Sequence, residues 1–385
     1  MKTGKTRGNM TGKLKGGKLA LIMAGLLLAG VTTVLASEGA VKLSLANLYD
    51  LVTADGAKAA LDTLNVQLLE SDKADSVKTA ANIFNTGVYE QGFDNTLIRD
   101  VMPLEAESRI ISEKLLQSQE PVMRETDLHK AIQSLLMLRE QQLLDEKLLV
   151  LTREEADIAK SRHAAGLMSE ADWTDSVAAV EFALLDLGRV DIIVEQAELE
   201  VMNQAGTSFD AELTYPETGS ATLLETKFEE AAGLQEWLSE AEKSDVGIFD
   251  KSESLRFLNM KLEIAKKFIP DTHVRVIEML RDREYAILAL AGAESGIELN
   301  LRNLLNDRIT AIEQLELAYK GLDLAKRHRV QDAIRQEAGL IGRSDIIPRE
   351  RDVLRAEYGI VSAIAAVNMI EADLRALVGI HGLVQ

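Results

Sequence analysis

The sequence predicts an all-α protein made of long coiled-coil helical hairpins in two tandem structural repeats. Three observations carry that reading. Five prolines and 16 aromatics (Trp 2, Tyr 6, Phe 8) stand among 385 residues; with abundant Ala, Leu, Glu and Arg, this favours helix over a β-sandwich or ordinary barrel. Apolar residues recur on steps of three and four, the narrow seam of a coiled coil. The steps run through Leu144, Leu148, Leu151, Ile158 and Arg162, through Leu315, Ala318, Leu322 and Ala325, and through Ile360, Ile364, Val367, Leu374 and Val378. Finally, Ala165-Gly166-Leu167-Met168-Ser169-Glu170-Ala171-Asp172 matches Ala338-Gly339-Leu340-Ile341-Gly342-Arg343-Ser344-Asp345 at an offset of 173, and Gly206 meets Gly379 at the same offset. Such spacing marks an internal duplication.

Taken in order, residues 1–36 are read as a signal for export. All six charges before Glu38 are positive, an apolar run follows from Leu19 to Leu35, and Val34-Leu35-Ala36 offers a cleavage site after Ala36. The run is also close to the length of a membrane anchor; no later segment is expected to reach that length without charges. Cleavage would leave 37 basic and 62 acidic side chains, a net charge of −25. The first repeat spans 37–206. Pro121 and Pro216 bracket a proline-free stretch, in which a helix from about Glu125 to Ala165 would run ~60 Å. Each Gly-Leu octet is expected to be the tip of a helical hairpin. Gly166 would end the incoming helix in the left-handed region, with Leu167 packing back against it. Ser169 with Asp172 is spaced as a capping box for the outgoing helix. In the second copy Gly342 replaces the serine, Asp345 keeps its place in the first turn, and Pro348 lies near the helix start. Residues 207–221, with Gly, Pro and small polar residues, read as a linker, and 222–385 as the second repeat.

Several chemistries are excluded at this stage. Zero cysteine removes disulfides, thiolate metal sites and thiol nucleophiles. The net acidity argues against a nucleic-acid partner. Five histidines (His129, His163, His273, His328, His381) lack metal-ligand spacing and read as solvated helix residues, no nucleotide or hydrolase motif occurs, and no catalytic residue, metal or cofactor is expected. Trp173, beside the first tip, suits either a partner contact or packing; Trp237 suits packing.

An exported chain with two copies of helix, A-G-L-x-x-x-x-D tip, helix and closing glycine resembles the TolC family of outer-membrane efflux proteins. The likeness is read at Arg162 to Asp172, at Arg335 to Asp345 and at Leu377-Val378-Gly379. It extends well over Asp127–Gly206 and Leu301–Gly379, and loosely over Val41–Glu70 and Leu223–Lys267 as the helices that open each half. The resemblance implies a homotrimer with a tapering α-helical tunnel, conducting cargo passively. It also implies docking of the tips on a periplasmic adaptor (membrane fusion protein) bound to an inner-membrane transporter. The implied tip residues are Gly166, Leu167, Asp172, Gly339, Leu340 and Asp345. Asp172, Asp175 and Asp345 could form an acidic constriction at the three-fold axis, or serve as N-terminal helix charge.

One departure stands out. The family inserts a β-hairpin in each half, but the corresponding stretches here, 72–103 and 268–296, lack the alternation and aromatic girdles of barrel strands. Asn85-Thr86-Gly87 and Glu90-Gln91-Gly92-Phe93 read instead as a turn between helices. Little or no barrel is expected, which leaves room for a second reading: an envelope coiled-coil scaffold that has lost conduction.

Overall fold

The computed structural model describes residues 42–53, 56–83, 88–214 and 233–379. The signal read at 1–36, the turn residues Asn85 to Gly87, the 215–221 part of the linker, residues 222–232 and the last six residues lie outside them. Among the described residues the only strands are β1 (Lys42–Ser44) and β2 (Glu212–Thr214), paired in parallel with Leu43 opposite Leu213. Everything else regular is helix: α1 (Leu45–Thr53), α2 (Gly56–Ala81), α3 (Tyr89–Asp100), α4 (Met102–Ala164), α5 (Glu170–Gln204), α6 (Leu234–Ser244), α7 (Val246–Phe268), α8 (Val274–Glu337) and α9 (Arg343–Val378).

The two longest helices exceed the sequence expectation. Helix α4 has 63 residues and α8 has 64, so each is ~95 Å long. Pro121 does not bound α4; it lies inside it. Helix α4 packs along α2 and α9, and beside the proline Lys58 of α2 pairs with Glu120 at 2.9 Å, which offsets the lost backbone bond. Both stretches expected to lack barrel strands do lack them among the described residues: 72–81 ends α2, 89–103 is α3 and the start of α4, and 274–296 opens α8. Glu90 to Phe93, read as part of a turn, is instead the first turn of α3, with Phe93 buried under α7.

Two helical hairpins, α4–α5 and α8–α9, lie side by side through contact of α4 with α9. Near the tips this gives one layer in the order α5, α4, α9, α8. Towards the other end α5 and α9 stop, and α2 and α7 take up positions beside α4 and α8, giving the order α2, α4, α7, α8. The expected seam of α9 is buried: Ile360, Ile364, Val367, Leu374 and Val378 all face inward. As expected, no described segment of that length is free of charges; α9 contains an 18-residue window apolar enough by length and composition to cross a membrane, but it carries Arg355 and Glu357. Its apolar residues are used on α4 and α8.

Two small cores brace this layer. Leu45 and Leu48 of α1 and Leu213 of β2 close over Leu128, Ile132, Leu135, Val190, Val194 and Val201. Part of the segment read as linker is thus structured, and it clasps the chain's early residues at mid-height. At the end away from the tips, Phe93, Val101, Phe257, Ala265, Ile269 and Val276 form the second core, tying α3 across to α7. Arg275 stacks over Phe93 at 4.9 Å and pairs with Asp94 at 2.8 Å.

Candidate functional site: the hairpin tips and the open edges

Each tip is a helix end that the local sequence dictates. Gly166 and Gly339 take φ of +71° and +70°. In the first tip Gly166 donates to the His163 carbonyl at 2.9 Å and Leu167 to Arg162 at 2.8 Å; in the second, Gly339 donates to Gln336 at 2.8 Å and Leu340 to Arg335 at 2.9 Å. That pair of bonds is the Schellman closure. Gly206 and Gly379 adopt the same backbone at the far ends of α5 and α9.

The side chains depart from expectation. Leu167 and Leu340 do not pack back: they are 78% and 74% exposed, because the hairpin turn aims both beyond the helix ends. The expected capping box is half formed. Ser169 accepts from the Asp172 N–H at 3.1 Å, but the Asp172 carboxylate accepts from the Ser169 hydroxyl at 2.7 Å and not from its backbone. The second tip holds the other half, with the Gly342 N–H donating to Asp345 at 2.8 Å. Asp345 thus engages the backbone at its helix start, Asp172 holds the hydroxyl of the capping Ser169, and the Asp175 side chain is exposed with no bond among the described residues. Trp173 stacks on His163 at 5.1 Å between ring centroids, and His163 Nδ1 lies 3.2 Å from the Met168 carbonyl. Within the protomer this tryptophan packs.

What the sequence did not reveal is how the tips are joined. Arg162 donates to Ser344 at 2.8 Å. Arg343 makes a bidentate pair with Glu154 at 2.6 and 2.8 Å and reaches Glu350 at 2.7 Å. Arg351 contacts Glu155 at 2.7 Å and Thr152 at 3.1 Å. The hydrogen bond from Arg343 holds the Glu154 carboxyl below its ordinary range, and the two carboxylates raise the guanidinium further. Apart from Arg343 to Glu350, these contacts link positions 182 to 199 apart in sequence, so no local pattern could have paired them.

The layer has two open edges, and both carry exposed apolar residues among charged ones. Along α5, Leu185, Ile192 and Leu199 stand exposed seven residues apart. Along α8, Leu317 and Leu324 do the same near the tip, while Ile277, Leu288 and Leu299 stand exposed eleven apart at the other end. Opposite that end of α8, α2 exposes Leu61, Leu64 and Leu68. Gly188 falls between Leu185 and Ile192, and Gly321 between Leu317 and Leu324; neither has any atom within 4 Å of where a Cβ would stand. Counting along the helices from the tips, Gly188 sits ~27 Å up and Gly321 ~24 Å up, so the two notches are nearly level.

No protein-family model matches the chain, and no curated protein is detectably similar to it. Solved structures are similar to it over most of their length. The structure of CusC, described in terms of folding and transmembrane channel formation, aligns with a TM-score of 0.67 at 11% identity, covering 90% of this chain and 95% of that one. The open state of the Neisseria gonorrhoeae MtrE outer membrane channel gives 0.64 at 14% identity, covering 90% and 93%. The outer membrane protein VceC of Vibrio cholerae gives 0.62 at 11% identity, covering 87% and 96%. The chain has a TolC-like fold.

Proposed function

We propose that this chain is one protomer of an exported helical tunnel in the cell envelope. Three copies would close a ring that conducts cargo passively, with an adaptor at the tips and an inner-membrane transporter behind it. The observation that carries the reading is the pair of open edges. A four-helix layer with different apolar stripes on its two sides associates head to tail, and such a contact either closes into a ring or runs on as a filament. The stripes pair by height, α5 with the tip half of a neighbouring α8, and α2 with its other half. Levelled glycines let two helices approach closely where they cross. About twelve helices spaced ~8–10 Å apart make a ring ~30–38 Å across between axes; subtracting a helix thickness of ~10 Å leaves a lumen of ~20–28 Å, ample for small molecules. The similar solved structures, at 11–14% identity and several of them described as outer membrane channels, support the same architecture. No enzyme activity is proposed.

Exposed Leu167 and Leu340 suit adaptor docking, and Asp175 is the tip carboxylate free for an acidic ring. The scaffold reading keeps one supporting observation, the helices that stand where barrel strands would be. Light scattering of residues 37–385 without detergent separates the two: a mass of three chains is expected. A chain that stays monomeric in both buffer and detergent would sink the tunnel and leave the scaffold; a trimer formed only in detergent would restore a membrane barrel.

A further inference from the structure

We infer that the corner where the two halves meet is a binding site for an amphipathic organic cation of drug size. A cavity of about 480 Å³ opens there, lined by Ser118, Gln119, Val122 and Met123 of α4, the C-terminal end of α6, Asp245, Asn300 and Leu304 of α8, and one face of the end of α9 from Asp373 to Gly379. That volume lies in the range used by small-molecule sites, ~300–1,000 Å³. Val122, Met123, Leu304 and Leu377 give the lining apolar surface from three helices. Its two ionisable lining residues are both carboxylates, Asp245 and Asp373, and no Lys, Arg or His lines it.

Both acids keep acceptor capacity beside their neighbours. Asp245 caps α7, accepting from the Ile248 N–H through Oδ1 at 2.6 Å. Asp373 pairs through Oδ1 with Lys130, which stands outside the lining. Neither Oδ2 is engaged among the described residues. The carbonyl end of α9 adds negative partial charge to the same corner, opposite the positive N-terminal end of α7 that Asp245 already caps. An anion would meet two carboxylates and a helix C-terminus, and a purely apolar ligand would strip water from both acids without replacing it. A cation on an apolar body satisfies both surfaces.

The site does not depend on the tunnel reading, and its test is separate from trimer formation. Tetraphenylphosphonium and tetraphenylborate have the same shape and opposite charge. Calorimetric titration of residues 37–385 is expected to show one phosphonium bound per chain and much weaker borate binding. The phosphonium should also raise the melting temperature, since the ligand bridges α4 to the second half. Asp245→Asn keeps an oxygen to cap α7 and removes the charge. It and Asp373→Asn should each weaken phosphonium binding roughly tenfold, the order expected for a unit charge at ~6 Å in a partly wet site. Met123→Trp, at an exposed position, should block the cavity while leaving the melting temperature without ligand unchanged. Equal binding of the two ions, binding indifferent to all three substitutions, or no phosphonium binding would overturn the inference, whether or not the chain is trimeric.

Discussion

At Gly166 the residue type is required by the backbone alone. Its φ is +71°, and a methyl group there would meet no atom within 4 Å. Gly166→Ala should therefore lower the unfolding free energy by about 1–2 kcal/mol, the penalty of a left-handed L-residue, measured by urea titration. This was legible in sequence because glycine's freedom is a local property. His129 was not. As a lone helix histidine it reads as solvated, yet it is 1% exposed, and its Nδ1 lies 2.8 Å from the Tyr49 hydroxyl. Burial, with Arg375 adding to it, pushes its pKa down from 6.5 to about 4. The unfolded chain therefore takes up the proton first as pH falls. The stability this group contributes is full above pH 6.5, declines towards pH 4 and then levels off, a loss of about 3 kcal/mol. His129→Gln, which keeps an acceptor for Tyr49, should flatten that part of the stability profile; an unchanged slope would refute the assignment.

Among the elements, the seams were readable because a coiled-coil stripe repeats along one helix, and Ile360, Ile364 and Val367 of α9 are buried as that repeat requires. Helix limits were less so. Helix α4 begins at Met102 and passes through an exposed Pro121, a position local preference marks as a break. Pro121→Ala restores one intrahelical bond and removes a ring that, in a helix, crowds the carbonyl four residues back. It should raise the unfolding free energy by about 1–3 kcal/mol, read by denaturant midpoint. A destabilised variant would show that the proline itself is needed for contact with α2 or α9. Strand β2 was missed for a related reason: three residues paired to β1 more than 160 positions earlier carry no period of their own.

For the whole molecule, the exposed stripes on α5, α2 and α8 matter most, and helix-interior glycines within them make a discriminating test. In an isolated protomer Gly188→Ala and Gly321→Ala meet open space and should each stabilise by about 0.5–1 kcal/mol. Gly188→Leu and Gly321→Leu should leave the protomer folded and reduce the mass in solution from three chains to one, because a large side chain would prop apart the closest crossing between neighbours. Helicity by circular dichroism guards against simple misfolding. Trimers that form normally with both leucines in place would move the interface elsewhere.

The sequence by itself determined what is local or periodic: the all-α class, the hairpin tips at Gly166 and Gly339, the aspartates in the first turns after them, and, among the described residues, the absence of strands where barrel hairpins would stand. Those features follow from backbone preference and the repeat of apolar positions along one helix. Only the tertiary structure decided which helices lie side by side, that Arg343 grips Glu154, that Leu167 and Leu340 point outward, and that two carboxylates meet at one corner. Such partners are set by packing across more than a hundred residues, where neither spacing nor propensity carries information.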